Sequence, residues 1–162
     1  MNLAIDENVI AVANDIGRSL QGLALLCPEA DDDCRLACIE ALQRAIRSEI
    51  VLLDDQDLVL SYYRRKASMS GQPGSGDAFL MAVYQNSYNP ERVLRIGLPE
   101  EHGRGLPESF VQCGFDADDM IYLALARNAP PAQVLNAVDS DYTEFAVQIE
   151  ELGVSVVQLC GR

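Results

Sequence analysis

Short apolar runs alternate along this chain with longer stretches of helical period. The first run, Leu3-Ala4-Ile5, predicts a buried strand over 2–5, and Asp6-Glu7-Asn8 reads as the turn after it. From Val9 to about Leu26, apolar and small residues recur with helical spacing, with Asn14, Asp15, Arg18 and Gln21 at polar positions. Gly17 and Gly22 weaken or divide that helix, and Pro28 stops it. One acid of Asp31-Asp32-Asp33 is expected to cap the next helix, about 33–48, which carries Leu36, Ile39, Leu42 and Ile46 on one face. Glu40 and Arg44 are placed there to form an exposed pair. Ile50-Val51-Leu52-Leu53 is a continuous β-rich run and predicts a second buried strand, closed by Asp54-Asp55.

Leu58 to Lys66 predicts a helix that ends on the cations Arg64, Arg65 and Lys66. Ser68 to Gly76 has loop composition and lacks the Gly-Lys-Ser/Thr ending of a P-loop. Asp77 is expected to cap a helix from about Ala78 to Asn86. Asn89-Pro90 is a turn, and Val93–Ile96 a third strand. Residues 97–109 read as a connecting loop holding His102, the only histidine, which is expected to be solvated. Asp116, Asp118 and Asp119 precede the apolar helix Met120–Ala126, which Pro130-Pro131 follows. A fourth strand over 134–138 runs into Asp139-Ser140-Asp141. A last helix over 142–152 stops at Gly153, and a fifth strand covers 154–159. Strands separated by helices predict an α/β fold with a mostly parallel central sheet covered on both faces.

At 162 residues the chain has the length of one domain, 1–162, with an ordinary globular mix of 49% hydrophobic and 23% charged residues. It has neither a run long enough to span a bilayer nor a basic-then-apolar leader, so the expected location is cytoplasmic. The five cysteines, Cys27, Cys34, Cys38, Cys113 and Cys160, form no regular framework and are read as reduced, mostly core, thiols. Cys34 and Cys38 are one helical turn apart, but a metal there would need further soft ligands. The net charge of −13 argues against non-specific binding to polyanions and favours a basic protein partner.

Three acidic stations stand at strand ends or helix starts: Asp6, Asp118-Asp119 and Asp139-x-Asp141. Ligands of open α/β sheets bind at the carboxyl edge. Each acid singly is a natural cap or turn residue. Gathered at one edge they would form an acidic pocket that is costly without a cation. Mg²⁺ and Mn²⁺ take such hard oxygen ligands.

Asp6-x-Asn8 after the first strand, Asp119 opening an apolar helix and Val138-Asp139-Ser140-Asp141-Tyr142 after a later strand together resemble the PIN domain. The resemblance follows nearly the whole chain in order. It implies a Rossmann-like three-layer sandwich and a Mg²⁺- or Mn²⁺-dependent nuclease, acting on RNA or else DNA. Many such proteins are the toxin of a toxin–antitoxin pair, which implies a basic antitoxin-like partner, and many are homodimers. By the resemblance, Asp6, Asp119 and Asp139 would be catalytic metal ligands, with Asp141 completing or supporting the site. Asn8 would orient Asp6 or a metal-bound water, and Arg64 and Arg65 would hold substrate phosphates. Tyr62 stands where the family has a further acid. Asp57, one turn earlier, is the first choice to replace it, with Asp54, Asp55 and Glu40 as alternatives. A catalytically degenerate PIN-like binding or regulatory protein is the second reading. A receiver or aspartyl phosphatase is a third, although the first fits poorly with Lys66 as the only lysine, and the second with Glu7-Asn8 in place of x-Asp.

Overall fold

The computed structural model describes residues 1–70, 72 and 74–161. Five strands form one sheet: β1 (Asn2–Ile5), β2 (Ile50–Asp54), β3 (Val93–Ile96), β4 (Ala132–Asn136) and β5 (Ser155–Gln158). Their spatial order is β3-β2-β1-β4-β5, and all four pairings are parallel. Between them run α1 (Glu7–Leu20), α2 (Asp32–Ser48), α3 (Leu58–Lys66), α4 (Ser75–Gln85), α5 (Glu108–Val111), α6 (Met120–Asn128), α7 (Asp141–Glu144) and α8 (Ala146–Glu151). Helices flank the sheet, giving a Rossmann-like three-layer α/β sandwich. Helices α1 to α4 pack on one another, whereas α6 packs on β1, β2 and β4. None of the described helices is long and apolar enough to cross a membrane.

The topology follows from strand burial. β1 sits in the middle, where Leu3, Ala4 and Ile5 are covered on both faces. Crossovers carry the chain from β1 to β2 to β3 in one direction, then back past β1 to β4 and β5. At this reversal stand the carboxyl ends of β1 and β4, where open α/β sheets have their ligand crevice. Register there is set by Ile5 opposite Leu135, and the Asp6 N–H donates to the Leu135 carbonyl at 3.1 Å.

Several element ends differ from expectation for local reasons. α1 stops at Leu20 rather than near Leu26, because Gly22 takes a left-handed φ of 69° and the Leu23 N–H turns back to the Arg18 carbonyl. Asp31 caps α2, accepting the Cys34 N–H at 2.8 Å. Asp77 is not the cap of α4. It lies inside the first turn and accepts the Gly74 N–H at 2.8 Å, while Asn14 of α1 accepts the Asp77 N–H at 3.0 Å. The last helix is divided in two around Phe145, and α5 begins at Glu108, inside the end of the expected 97–109 loop. Gly71 and Pro73 of the Ser68–Gly76 loop lie outside the described residues. Glu40 is exposed and no ion pair with Arg44 forms.

The cysteines correct the expectation of reduced thiols. Cys34 and Cys160 form a disulfide with Cα atoms 4.7 Å apart, while Cys27, Cys38 and Cys113 are free. The pairing joins residues 126 apart in sequence, because the chain leaving β5 reaches the first turn of α2.

Helices α1 and α4 approach closely at Gly76. A Cβ there would lie 2.5 Å from the Ile10 carbonyl oxygen and 2.9 Å from the Asn14 Cγ. The first contact is with backbone, so the helices would have to separate. Gly76→Ala is therefore expected to destabilise the fold by about 1–3 kcal/mol, measured as a lower urea midpoint. An unchanged midpoint would show that α1 and α4 are not held at this distance.

Candidate functional site

The acids of this chain separate into two groups by whether they converge. Asp15, Asp54 and Asp77 are buried and tied to backbone amides. Asp15 accepts the Leu26 and Cys27 N–H groups at 2.7 and 2.8 Å. Asp54 accepts those of Gln56, Leu58 and Val59. These carboxylates build turns. Asp6, Asp119 and Asp139 instead converge, with one carboxylate oxygen from each lying within 4.8 Å of the others. None of the three takes part in an ion pair among the described residues.

Each is delivered by a different element. Asp6 leaves β1 in extended conformation and caps α1, its Oδ1 accepting the Asn8 N–H at 2.9 Å. Its Oδ2 accepts the buried Tyr142 hydroxyl at 2.8 Å. Asp139 follows β4 in a turn whose Oδ1 accepts the Asp141 N–H at 2.9 Å. Asp119 stands at the cap position of α6 but makes no capping bond, so its side chain is not committed to that helix.

Asn8 locks the two strand ends together. Its Nδ2 donates to Asp6 Oδ1 at 2.8 Å and to Asn136 Oδ1 at 2.9 Å, and its Oδ1 accepts the Ala137 N–H at 2.8 Å. Asn136, at the end of β4, donates in turn to the Asp139 carbonyl and to Gln158 of β5. The side chain that aims Asp6 is thus fixed by the strand that delivers Asp139.

The electrostatics are unfavourable for three free anions. Burial, and to a smaller degree the charges of Asp139 and Glu7, push the Asp6 carboxyl above its ordinary value of 3.8, despite the lowering bonds from Asn8 and Tyr142. Burial raises Asp119 as well, followed by the Asp6 charge and by a proton-sharing contact with Asp139. The Tyr122 hydroxyl is buried without a hydrogen-bond partner, and the charges of Asp6, Glu7 and Asp119 act on it. A cluster of hard oxygens with an unpartnered hydroxyl beside it fits a hydrated Mg²⁺ or Mn²⁺ ion.

The structure places the remaining predicted residues around this centre or away from it. Asp141 is half-buried and accepts the Asp116 N–H at 3.2 Å, which ties down the loop leading to Asp119. Asp57 is not brought into the cluster. It sits in a left-handed turn at φ 60°, exposed, and pairs with Arg95. Tyr62 is half-buried under the Arg65 guanidinium, 4.3 Å from its ring centre. Arg65 also pairs with Glu7 at 3.4 Å, and Arg64 donates to the Tyr84 hydroxyl. His102 is exposed.

Sequence reading missed Glu7, Tyr142 and Asn136. Glu7 is adjacent to Asp6, and burial raises its carboxyl while Arg65 opposes this. Burial raises the Tyr62 hydroxyl, as does the charge of Asp118, while the charges of Arg65 and Arg104 oppose this. The signal for Glu7 was present in its position next to Asp6. Tyr142 and Asn136 are recognisable only once β1 and β4 are known to be neighbours. Comparison with protein-family models, with curated proteins and with solved structures returned no match.

Because the folded state binds the Asp6 and Asp119 protons more tightly than the unfolded chain does, stability falls as pH rises above the ordinary value of 3.8. Ordinary carboxylates have already titrated by about pH 5. In chelator, the melting temperature should therefore be lower at about pH 8 than at about pH 5, and Asp6→Asn should flatten the difference. A wild-type profile that is flat or rises over this range would contradict the electrostatic account.

Proposed function

We propose that this protein is a divalent-metal-dependent, PIN-like nuclease that hydrolyses phosphodiester bonds, with RNA as the first substrate class and DNA the second. The observation that supports it is the convergence of Asp6, Asp119 and Asp139 at the crevice where the strand order reverses. These three carboxylates would hold the ion, Mg²⁺ or Mn²⁺. When bound, such an ion lowers the pKa of a coordinated water and polarises the phosphodiester. The protein's own task is positioning. Asn8 and Tyr142 fix both oxygens of Asp6, the Asp139 turn is fixed by Asn136, and Asp141 restrains the loop carrying Asp119.

Arg65, paired with Glu7 next to Asp6, offers donors to a phosphate backbone in a chain whose overall charge would repel it. Binding therefore depends on the ion and on this local arginine. The same net charge of −13 suits a basic protein partner, such as the antitoxin of a toxin–antitoxin pair.

A second reading is a binding or regulatory protein with a degenerate centre. What favours it is the position of Asp57, paired with Arg95 while Tyr62 occupies the place of a fourth acid.

The two readings separate in a cleavage assay on single-stranded RNA with Mn²⁺. The nuclease reading expects metal-dependent cleavage that falls by about two orders of magnitude or more in Asp6→Asn and in Asp119→Asn. Asp57→Asn should leave the rate near wild type. Cleavage that persists in both cluster variants would remove the nuclease reading, and a folded wild type without activity on RNA or DNA would favour the second.

A further inference from the structure

The cysteines are the reactive groups that the acidic crevice does not use. Cys34 and Cys38 are buried one turn apart on α2, and Cys160 arrives from beyond β5. The three sulfurs lie within 4.8 Å of one another. A disulfide needs two of them, and Cys34 and Cys160 form it. Cys38 is the third, a free thiol set against that bond.

Burial pushes the Cys38 thiol up to about 12, with Cys27 adding to the effect. A thiol held protonated in this way is a poor nucleophile, so exchange within the cluster is disfavoured. A thiophilic cation changes that balance, since a coordinating thiol loses its proton outright. Metal–sulfur bonds of about 2.3 Å place ligating sulfurs about 3.8–4.0 Å apart in tetrahedral or trigonal geometry, which lies inside the observed cluster. Cys34 also sits in the first turn of α2, where the helix dipole favours a thiolate. Cys27 is a further buried thiol but does not belong to the three-sulfur cluster. Arg35, next to Cys34, has a buried Nε without an acceptor.

We propose that, once the Cys34–Cys160 bond is reduced, Cys34, Cys38 and Cys160 form a site for a thiophilic d¹⁰ cation such as Zn²⁺. Reduction breaks the S–S bond and consumes two electrons and two protons, supplied by a dithiol that becomes its own disulfide. Cation binding then releases one proton to solvent for each ligating thiol. Disulfide and metal perform the same mechanical task under different redox conditions. Among the described residues β5 is an edge strand paired only with β4, and either link ties the chain that leaves it to α2.

The test uses the full chain, reduced with dithiothreitol, desalted without oxygen and titrated with Cd²⁺. The ultraviolet thiolate-to-cadmium band is the readout, because carboxylate-bound cadmium does not produce it. The band should saturate at one equivalent in the reduced protein and be absent in the oxidised one. Cys38→Ser should weaken binding about tenfold or more, and Cys113→Ser, outside the cluster, should leave it unchanged. Should Cys38→Ser unfold by circular dichroism, Cys160→Ser at a half-buried position serves as the second variant and must also lose the band. No band in the reduced wild type, or an equal band in the cluster variants, overturns the proposal.

Discussion

The site depends on the bridge that Asn8 makes between the carboxyl ends of β1 and β4. One amide side chain uses both Nδ2 protons and its oxygen on three groups, Asp6, Asn136 and Ala137. At that point the strand order reverses. Without the bridge, two strand ends carrying like charges would have every electrostatic reason to separate. With it, Asp6 and Asp139 are held close although each raises the cost of ionising its neighbours. The acidic cluster is therefore imposed by the scaffold and is not a relaxed surface feature.

That contrast is visible in the other buried acids. Asp15 and Asp54 satisfy their oxygens with backbone N–H groups and serve to fix turns. Asp119 has the position of a helix cap without the bond, and the Tyr122 hydroxyl nearby has no partner. A divalent cation with its waters would answer both features. Function in this reading is the part of the structure that local stability does not explain.

Much of the fold was legible because the apolar runs are short and β-rich, and the strand ends are marked by acids. Ile50–Leu53 and Val93–Ile96 read directly as strands, and Leu58–Lys66 as a helix. Helix ends were less legible, since they depend on hydrogen bonds from other elements. Asn14 of α1 acts at the start of α4 from 63 residues away, so Asp77 looked like the cap. The Cys34–Cys160 pairing spans 126 residues and has no local signal. In the candidate site, Asp6, Asp119 and Asp139 were legible from their places at strand ends and a helix start. Their supports were not, because Asn136 and Tyr142 acquire roles only through the adjacency of β1 and β4. Asp57 misled because spacing along α3 cannot show that Arg95 of β3 holds it elsewhere.

Calorimetric titration of the oxidised protein with Mn²⁺, wild type against Asp6→Asn, tests the central claim most directly. Oxidation leaves the cysteine cluster closed, so that heat from the acidic crevice is measured alone. The account predicts saturable binding in the wild type that disappears in Asp6→Asn. An absence of binding in the wild type, or binding of equal strength in the variant, would contradict it.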